Sequence, residues 1–152
     1  MKAVEASGLH KSYSGVEALR GVSFEVEPGV IYGILGPDGA GKSSIFRILS
    51  TLILPDKGSA AVMGHDVVRE YRKVRQIVGY MPGRFSLYQD LSVEENINFF
   101  ATLFGTTLKE NYHLIKDIYS QIEPFKKRKA GALSGGMKQK LALSCALIHK
   151  PD

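Results

Sequence analysis

In the first half of the chain, short apolar segments alternate with glycine- and proline-marked turns. Val22, Phe24 and Val26 alternate with Ser23, Glu25 and Glu27, the period of a half-exposed antiparallel strand. The pattern predicts strands over 2–9 and 22–31, with Pro28-Gly29 turning the chain into Val30-Ile31-Tyr32-Gly33-Ile34-Leu35, a mostly apolar run that predicts a buried strand. Ser43 to Leu52 carries Ile45, Phe46, Ile48, Leu49 and Leu52 at helical spacing. Pro55-Asp56-Lys57-Gly58 is a turn signal. Beyond it the pattern predicts a strand over 59–63, a turn at Gly64-His65-Asp66, a short basic helix over 68–75, and a buried strand at Ile77-Val78-Gly79-Tyr80-Met81, stopped by Pro82-Gly83.

The period then changes. Ser92-Val93-Glu94-Glu95 is a capping box, opening a helix with Val93, Ile97, Phe100, Ala101 and Phe104 on one face and Gly105 at its end. Thr107 to Glu110 caps a second helix carrying Leu108, Tyr112, Ile115, Tyr119 and Ile122, which Pro124 ends. Residues 84–133 therefore read as a helical insertion in an α/β chain, with no internal repeat and no low-complexity segment.

Candidate chemistry is concentrated where the Val30–Leu35 run meets its helix. Gly36-Pro37-Asp38-Gly39-Ala40-Gly41-Lys42-Ser43 matches the G-x-x-x-x-G-K-[ST] phosphate loop in full, in a strand–loop–helix setting. Gly36, Gly39 and Gly41 let the backbone curl so that successive N–H groups face an anion, and the helix adds the positive end of its dipole. Lys42 is expected to reach the β- and γ-phosphates and the Ser43 hydroxyl to ligate Mg²⁺. This stretch is expected to bind a nucleoside triphosphate.

Bulk composition narrows the rest. The 152 residues are about one domain, and 44% hydrophobic with 23% charged is ordinary globular content. The net charge of +5 suits anionic ligands or a membrane surface without requiring nucleic acid. Cys145 is the only cysteine, so no internal disulfide forms and a reducing compartment is expected; its apolar neighbours Leu141, Leu143, Leu147 and Ile148 mark it as a core residue. Met1 to Glu5 lacks the apolar core of a signal peptide, and no run approaches the ~18 apolar residues of a membrane span. Any membrane role is expected to come through a partner. His10, His65, His113 and His149 show no metal-binding spacing, Lys126-Lys127-Arg128-Lys129 reads as a solvated charged face, and spacing alone makes Tyr13 a surface aromatic in a loop.

A second anion-binding motif lies downstream. In Leu133-Ser134-Gly135-Gly136-Met137-Lys138-Gln139-Lys140, Ser134 suits an N-cap, but two glycines in a first helical turn cost up to ~1 kcal/mol each relative to alanine. Bare backbone there lets a phosphate approach a helix N-terminus closely.

With both motifs, the chain resembles the nucleotide-binding domain of ATP-binding-cassette (ABC) transporters over its whole length. Leu133 to Gln139 looks like the family signature, and Gly36 to Ser43 like its Walker A loop. Gly36-Pro37-Asp38-Gly39 and the Val78–Ile97 stretch, similar to the Q-loop region, look most like the ATPases of multidrug or ABC-2-type exporters. The resemblance implies an α/β P-loop core with a small antiparallel β-subdomain and a helical subdomain, divided as 1–83, 84–133 and 134–152. It implies ATP and Mg²⁺ as ligands, with contacts from Gly36 to Ser43, from Ser44, and from Tyr13, which matches the aromatic residue that stacks on adenine. It further implies that Ser134, Gly135, Gly136, Met137, Lys138 and Gln139 contact nucleotide held by a second domain in a head-to-tail dimer. A membrane permease is the other implied partner, at the cytoplasmic face of the cell membrane; nucleic acid is not an expected partner.

Two departures from the family qualify this. Gly83 follows Tyr80-Met81-Pro82, where the family has a glutamine that helps place Mg²⁺ and the attacking water; Gln76 and Gln89 lie at other positions. The chain also ends at Lys150-Pro151-Asp152, where the Walker B strand is expected to start, so the Mg²⁺-binding aspartate, the catalytic glutamate and one strand of the sheet are not among these residues. The expectation is a truncated domain that binds ATP and hydrolyses it poorly or not at all. A non-hydrolytic regulatory subunit and a soluble ABC-type ATPase are the rival readings; the compact 84–133 insertion argues against the long coiled coil of repair ATPases.

Overall fold

A computed structural model describes all 152 residues, which divide into two compact units, Met1–Arg75 and Gln76–Asp152. The first is built on a hairpin of β1 (Val4–Tyr13) and β2 (Val16–Val26). Ser14 and Gly15 connect them with φ of 47° and 84°, both left-handed, the two-residue geometry that matches strand twist. This corrects the reading of Tyr13 as a loop residue: it pairs with Val16 at the end of the hairpin. β3 (Lys57–Val62) pairs with the other edge of β1, and β4 (His65–Asp66) with β3, giving an antiparallel sheet of order β2-β1-β3-β4. His65-Asp66, expected as a turn, is thus a two-residue strand. Helix α1 (Lys42–Leu49) packs on β2 and β3, and α2 (Tyr71–Ile77) starts later than the expected 68–75 helix. Leu9, Leu19, Ile48 and Val74 are fully buried in this unit, each contributing about 1.5–3 kcal/mol relative to exposure.

Val30–Leu35 forms no strand: it joins no ladder, and Ile31 and Leu35 are 104% and 95% exposed. Its one aromatic contact is Tyr32 stacked on Phe24 at 5.7 Å. The expected strand at Ile77–Met81 is likewise unpaired. Both runs have the pattern of strands flanked on two sides, and an extended segment without a hydrogen-bonding neighbour is not held as a strand, whatever its propensity. The parallel sheet of a P-loop core is therefore not assembled by these residues.

The second unit is helical: α3 (Val93–Leu103), α4 (Leu108–Tyr119), short 3₁₀ turns at Glu123–Phe125 and Ala130–Ala132, and α5 (Gly135–Leu147). Both capping boxes form, Ser92 with Glu95 and Thr107 with Glu110. The core joins Val93, Ile97 and Ala101 of α3 to Ile115 and Tyr119 of α4 and to Leu141 and Cys145 of α5. Burial pushes the Cys145 thiol up to about 12, so it stays protonated. No helix is long and apolar enough to cross a membrane. The basic run is not purely solvated: Lys127 bonds Glu94 at 2.7 Å, and Arg128 lies over the Phe125 ring at 4.6 Å.

Asn96, fully buried, holds the approach to α3. Its side-chain amide donates to Tyr88 O (2.9 Å) and Ser92 O (3.0 Å), and its Oδ1 accepts from Tyr88 N–H (3.0 Å). His149 stacks on Phe104 at 3.9 Å, and its ring nitrogens are buried, with the Val78 backbone the one polar group beside them. Burial lowers its pKa, so the folded state favours neutral imidazole. A lowered histidine pKa means the unfolded chain takes up the proton first. The stability this gives is present above about pH 6.5 and is lost as pH falls below it toward the folded pKa. Thermal melts between pH 7.5 and 5.5 should therefore show a steeper decline for wild type than for His149→Phe, which keeps the stack and cannot titrate; parallel declines would contradict this.

Candidate nucleotide-binding site

The phosphate loop is positioned by a close approach between backbones. β2 carries one residue too many opposite Lys11 and Ser12, because their partners are Leu19 and Glu17, and the bulged residue is Ala18. Gly41, at the N-terminus of α1 with φ +88°, sits directly on that bulge: a Cβ there would collide with the Ala18 carbonyl and lie 2.7 Å from Leu19 Cδ2. Only glycine satisfies both the conformation and the space. Gly41→Ala should cost about 1–3 kcal/mol from backbone strain alone, and each kcal/mol lowers the melting temperature of a unit this size by roughly 4–8 °C. Gly39→Ala, where φ is +82° but nothing lies within 4 Å, should cost less. Equal melting temperatures for Gly41→Ala and wild type would contradict the contact.

Around this anchor the loop closes on itself. Ala40 N–H turns back to Pro37 O (3.2 Å), and Ser44 and Ile45 N–H start the helix ladder on Gly41 O (2.9 and 3.1 Å). The N–H groups of Gly39, Gly41, Lys42 and Ser43 donate to no backbone carbonyl. Lys42 Nζ folds over the loop and donates to Gly36 O (2.7 Å) and Pro37 O (2.6 Å). Free amides at a helix N-terminus beside an ammonium have the chemistry of a receptor for a polyphosphate. Tyr13 reaches the same place: its Oη is hydrogen-bonded to Ser44 Oγ at 3.0 Å, and Ser44 is buried in the first turn of α1. The structure thus places Tyr13 against Ser44, at the end of the Gly36–Ser44 loop.

The signature residues open α5. Ser134 caps it, its Oγ accepting Met137 N–H at 3.4 Å. Gly135 and Gly136 have no left-handed φ, and a Cβ at either would meet nothing within 4 Å. Nothing inside the chain demands glycine there. Lys138 lies over the Phe85 ring at 5.5 Å. A Cβ on Gly83 would also find open space. A cavity of about 640 Å³ among Glu94, Tyr112, Tyr119 and Glu123 includes none of the expected ATP contacts.

A family model described as "ABC transporter" matches residues 19–152. The chain belongs to the ABC transporter family. It is 39% identical over 153 residues to the probable multidrug ABC transporter ATP-binding protein YbhF of Escherichia coli (strain K12), covering 97% of this chain and 26% of that protein. Identity to the Nod factor export ATP-binding protein I of Rhizobium sp. (strain N33) is 36%, over 99% of this chain and 50% of the relative. A solved ATP binding subunit of an ABC transporter superposes with a TM-score of 0.86 at 26% identity, covering 98% of this chain and 63% of its own. The chain thus spans half or less of the length of these two curated relatives. Its fold is that of an ABC-type ATPase domain, with the parallel core unassembled.

Proposed function

We propose that this chain is the ATP-binding portion of a subunit that couples ATP binding and hydrolysis to export through a separate membrane permease. The observation that carries it is the matched loop whose free amides converge with Lys42 at the N-terminus of α1. The names of its relatives, multidrug and Nod factor export ATP-binding proteins, support the exporter reading. In this reading Gly36 to Ser43 cradle the phosphates, Ser43 ligates Mg²⁺, Ser44 lines the site, and Tyr13 stacks on adenine. The bound group supplies a phosphoanhydride that water can cleave; the residues here bind and orient it. The divisions 1–83, 84–133 and 134–152 follow the same reading, as does a peripheral position on the inner face of the cell membrane. A non-hydrolytic regulatory role is the second reading, favoured by Gly83.

Ser134, Gly135 and Gly136 act in trans, on nucleotide held by a second domain, because their own chain already has a phosphate loop. The two glycines carry a helix-propensity penalty that no packing requires, which points to a demand from outside the chain. In the complete protein, Ser134→Arg should leave ATP binding by the monomer intact and block ATP-dependent dimerisation, measured by light scattering. Gly136→Ala should raise the melting temperature or leave it unchanged. Loss of ATP binding by Ser134→Arg in the isolated monomer would overturn the trans role.

A further inference from the structure

The Tyr13 ring is held from two sides. Lys11 lies two residues earlier on β1, so both side chains leave the same face of the strand. Lys11 Nζ sits over the Tyr13 ring, 5.7 Å from its centroid, within cation–π range. The lysine is itself fixed: its side chain is only 17% exposed, and Nζ donates to Asp56 Oδ1 at 2.7 Å. Asp56, from the Pro55–Gly58 turn, grips three successive residues of β1. Its N–H donates to His10 O (2.8 Å), its Oδ1 accepts from Lys11, and its Oδ2 accepts Ser12 N–H (2.7 Å). Those two carboxylate bonds hold the Asp56 pKa below the usual range, so the anchor is charged at neutral pH. At the other end of the ring, the phenol hydroxyl is tied to Ser44 Oγ, two residues beyond Lys42.

We propose that Lys11, Asp56 and Ser44 are positioning residues that fix the plane of the Tyr13 ring, leaving its opposite face as a shelf for a purine base at a set distance from the phosphate loop. The inference rests on the ATP-binding reading and deepens it. Tyr13 is 40% exposed, so ring surface remains open to solvent for stacking. A ring that must be immobilised on binding loses rotamer freedom at that moment; a ring already held loses less. The lysine on the back face also keeps a base from stacking there. The hydroxyl bond to α1 couples the shelf to the element that binds the phosphates.

The test is calorimetric titration of the 152-residue chain with Mg²⁺-ATP and with inorganic tripolyphosphate, which carries the phosphates and no base. Lys11→Met and Tyr13→Phe should each weaken ATP about two- to tenfold, the size of one cation–π contact or hydrogen bond, and change tripolyphosphate by less than about twofold. Asp56→Asn should follow Lys11→Met, and Lys11→Arg, which keeps the charge and the carboxylate partner, should retain ATP affinity. Circular dichroism checks that each variant is folded, and the Arg variant answers for any that is not. If Tyr13→Ala weakens ATP while Lys11→Met and Tyr13→Phe do not, the support is overturned and the stacking role of Tyr13 stands. Equal weakening of both ligands by Lys11→Met also overturns it, because the effect then lies in the loop. Unchanged ATP affinity in Tyr13→Ala removes the stacking role and the support with it, and no binding of either ligand by wild type removes the nucleotide reading itself.

Discussion

Phosphate release by the 152-residue chain is expected to fall at least about 10²–10⁴-fold below that of the same domain with a general base in place. Hydrolysis needs a positioned water, a group to take its proton, and a Mg²⁺ held by more than one protein ligand. In the proposed site Ser43 offers one hydroxyl to the metal. Gly83 has no side chain to offer, and the Walker B carboxylates of the family are not among these residues. Several carboxylates of the first unit are already engaged: Asp56 on Lys11 and Ser12, Asp66 on the N–H groups of Val68 and Arg69, and Glu70 on Lys73 and His65, which with Asp66 N–H hold its pKa at about 2. Gly83→Gln should fold normally, because a Cβ there meets nothing and its φ is ordinary. Alone it should not restore turnover, because a base is still lacking. Extending the chain with the segment that carries Walker B in its relatives should recover part of the rate, and both changes together should recover more. Steady, Lys42-dependent phosphate release from the 152-residue chain would overturn this and point to a base within it.

What the sequence made legible is what local chemistry decides. The two capping boxes are read from a hydroxyl and a glutamate three residues apart, and both form. The phosphate loop needs only its glycines, Lys42 and a following helix. The Ser14-Gly15 turn was also local, but neither residue carries the asparagine or aspartate that marks such turns most strongly, so the hairpin around Tyr13 went unread. Val30–Leu35 and Ile77–Met81 failed for a different reason. Strand formation is a property of pairs, and an apolar run says nothing of whether its neighbours are present. Asn96 could not be seen at all, since a buried amide that staples three backbone groups looks in sequence like any polar residue on a helix. The Tyr13–Ser44 bond joins residues 31 positions apart, and only the folded hairpin brings them together.

That bond and the Gly41 contact fix where the loop lies; Lys42 is expected to set how tightly it binds. Without a ligand the Lys42 ammonium is satisfied by two carbonyls of its own loop, so a phosphate must replace those bonds rather than find a free charge. The net gain is therefore smaller than a bare ion pair, yet a charge-assisted contact to a polyanion exceeds one to neutral carbonyls. Lys42→Ala leaves the N–H groups of Gly39, Gly41 and Ser43 in place, and binding should fall without vanishing. The measurement is calorimetric titration of folded wild type and folded Lys42→Ala with Mg²⁺-ATP. An affinity loss of at least about tenfold, 1.4 kcal/mol, is the predicted result. Equal affinity in the two proteins would contradict the assignment of this loop as the nucleotide site.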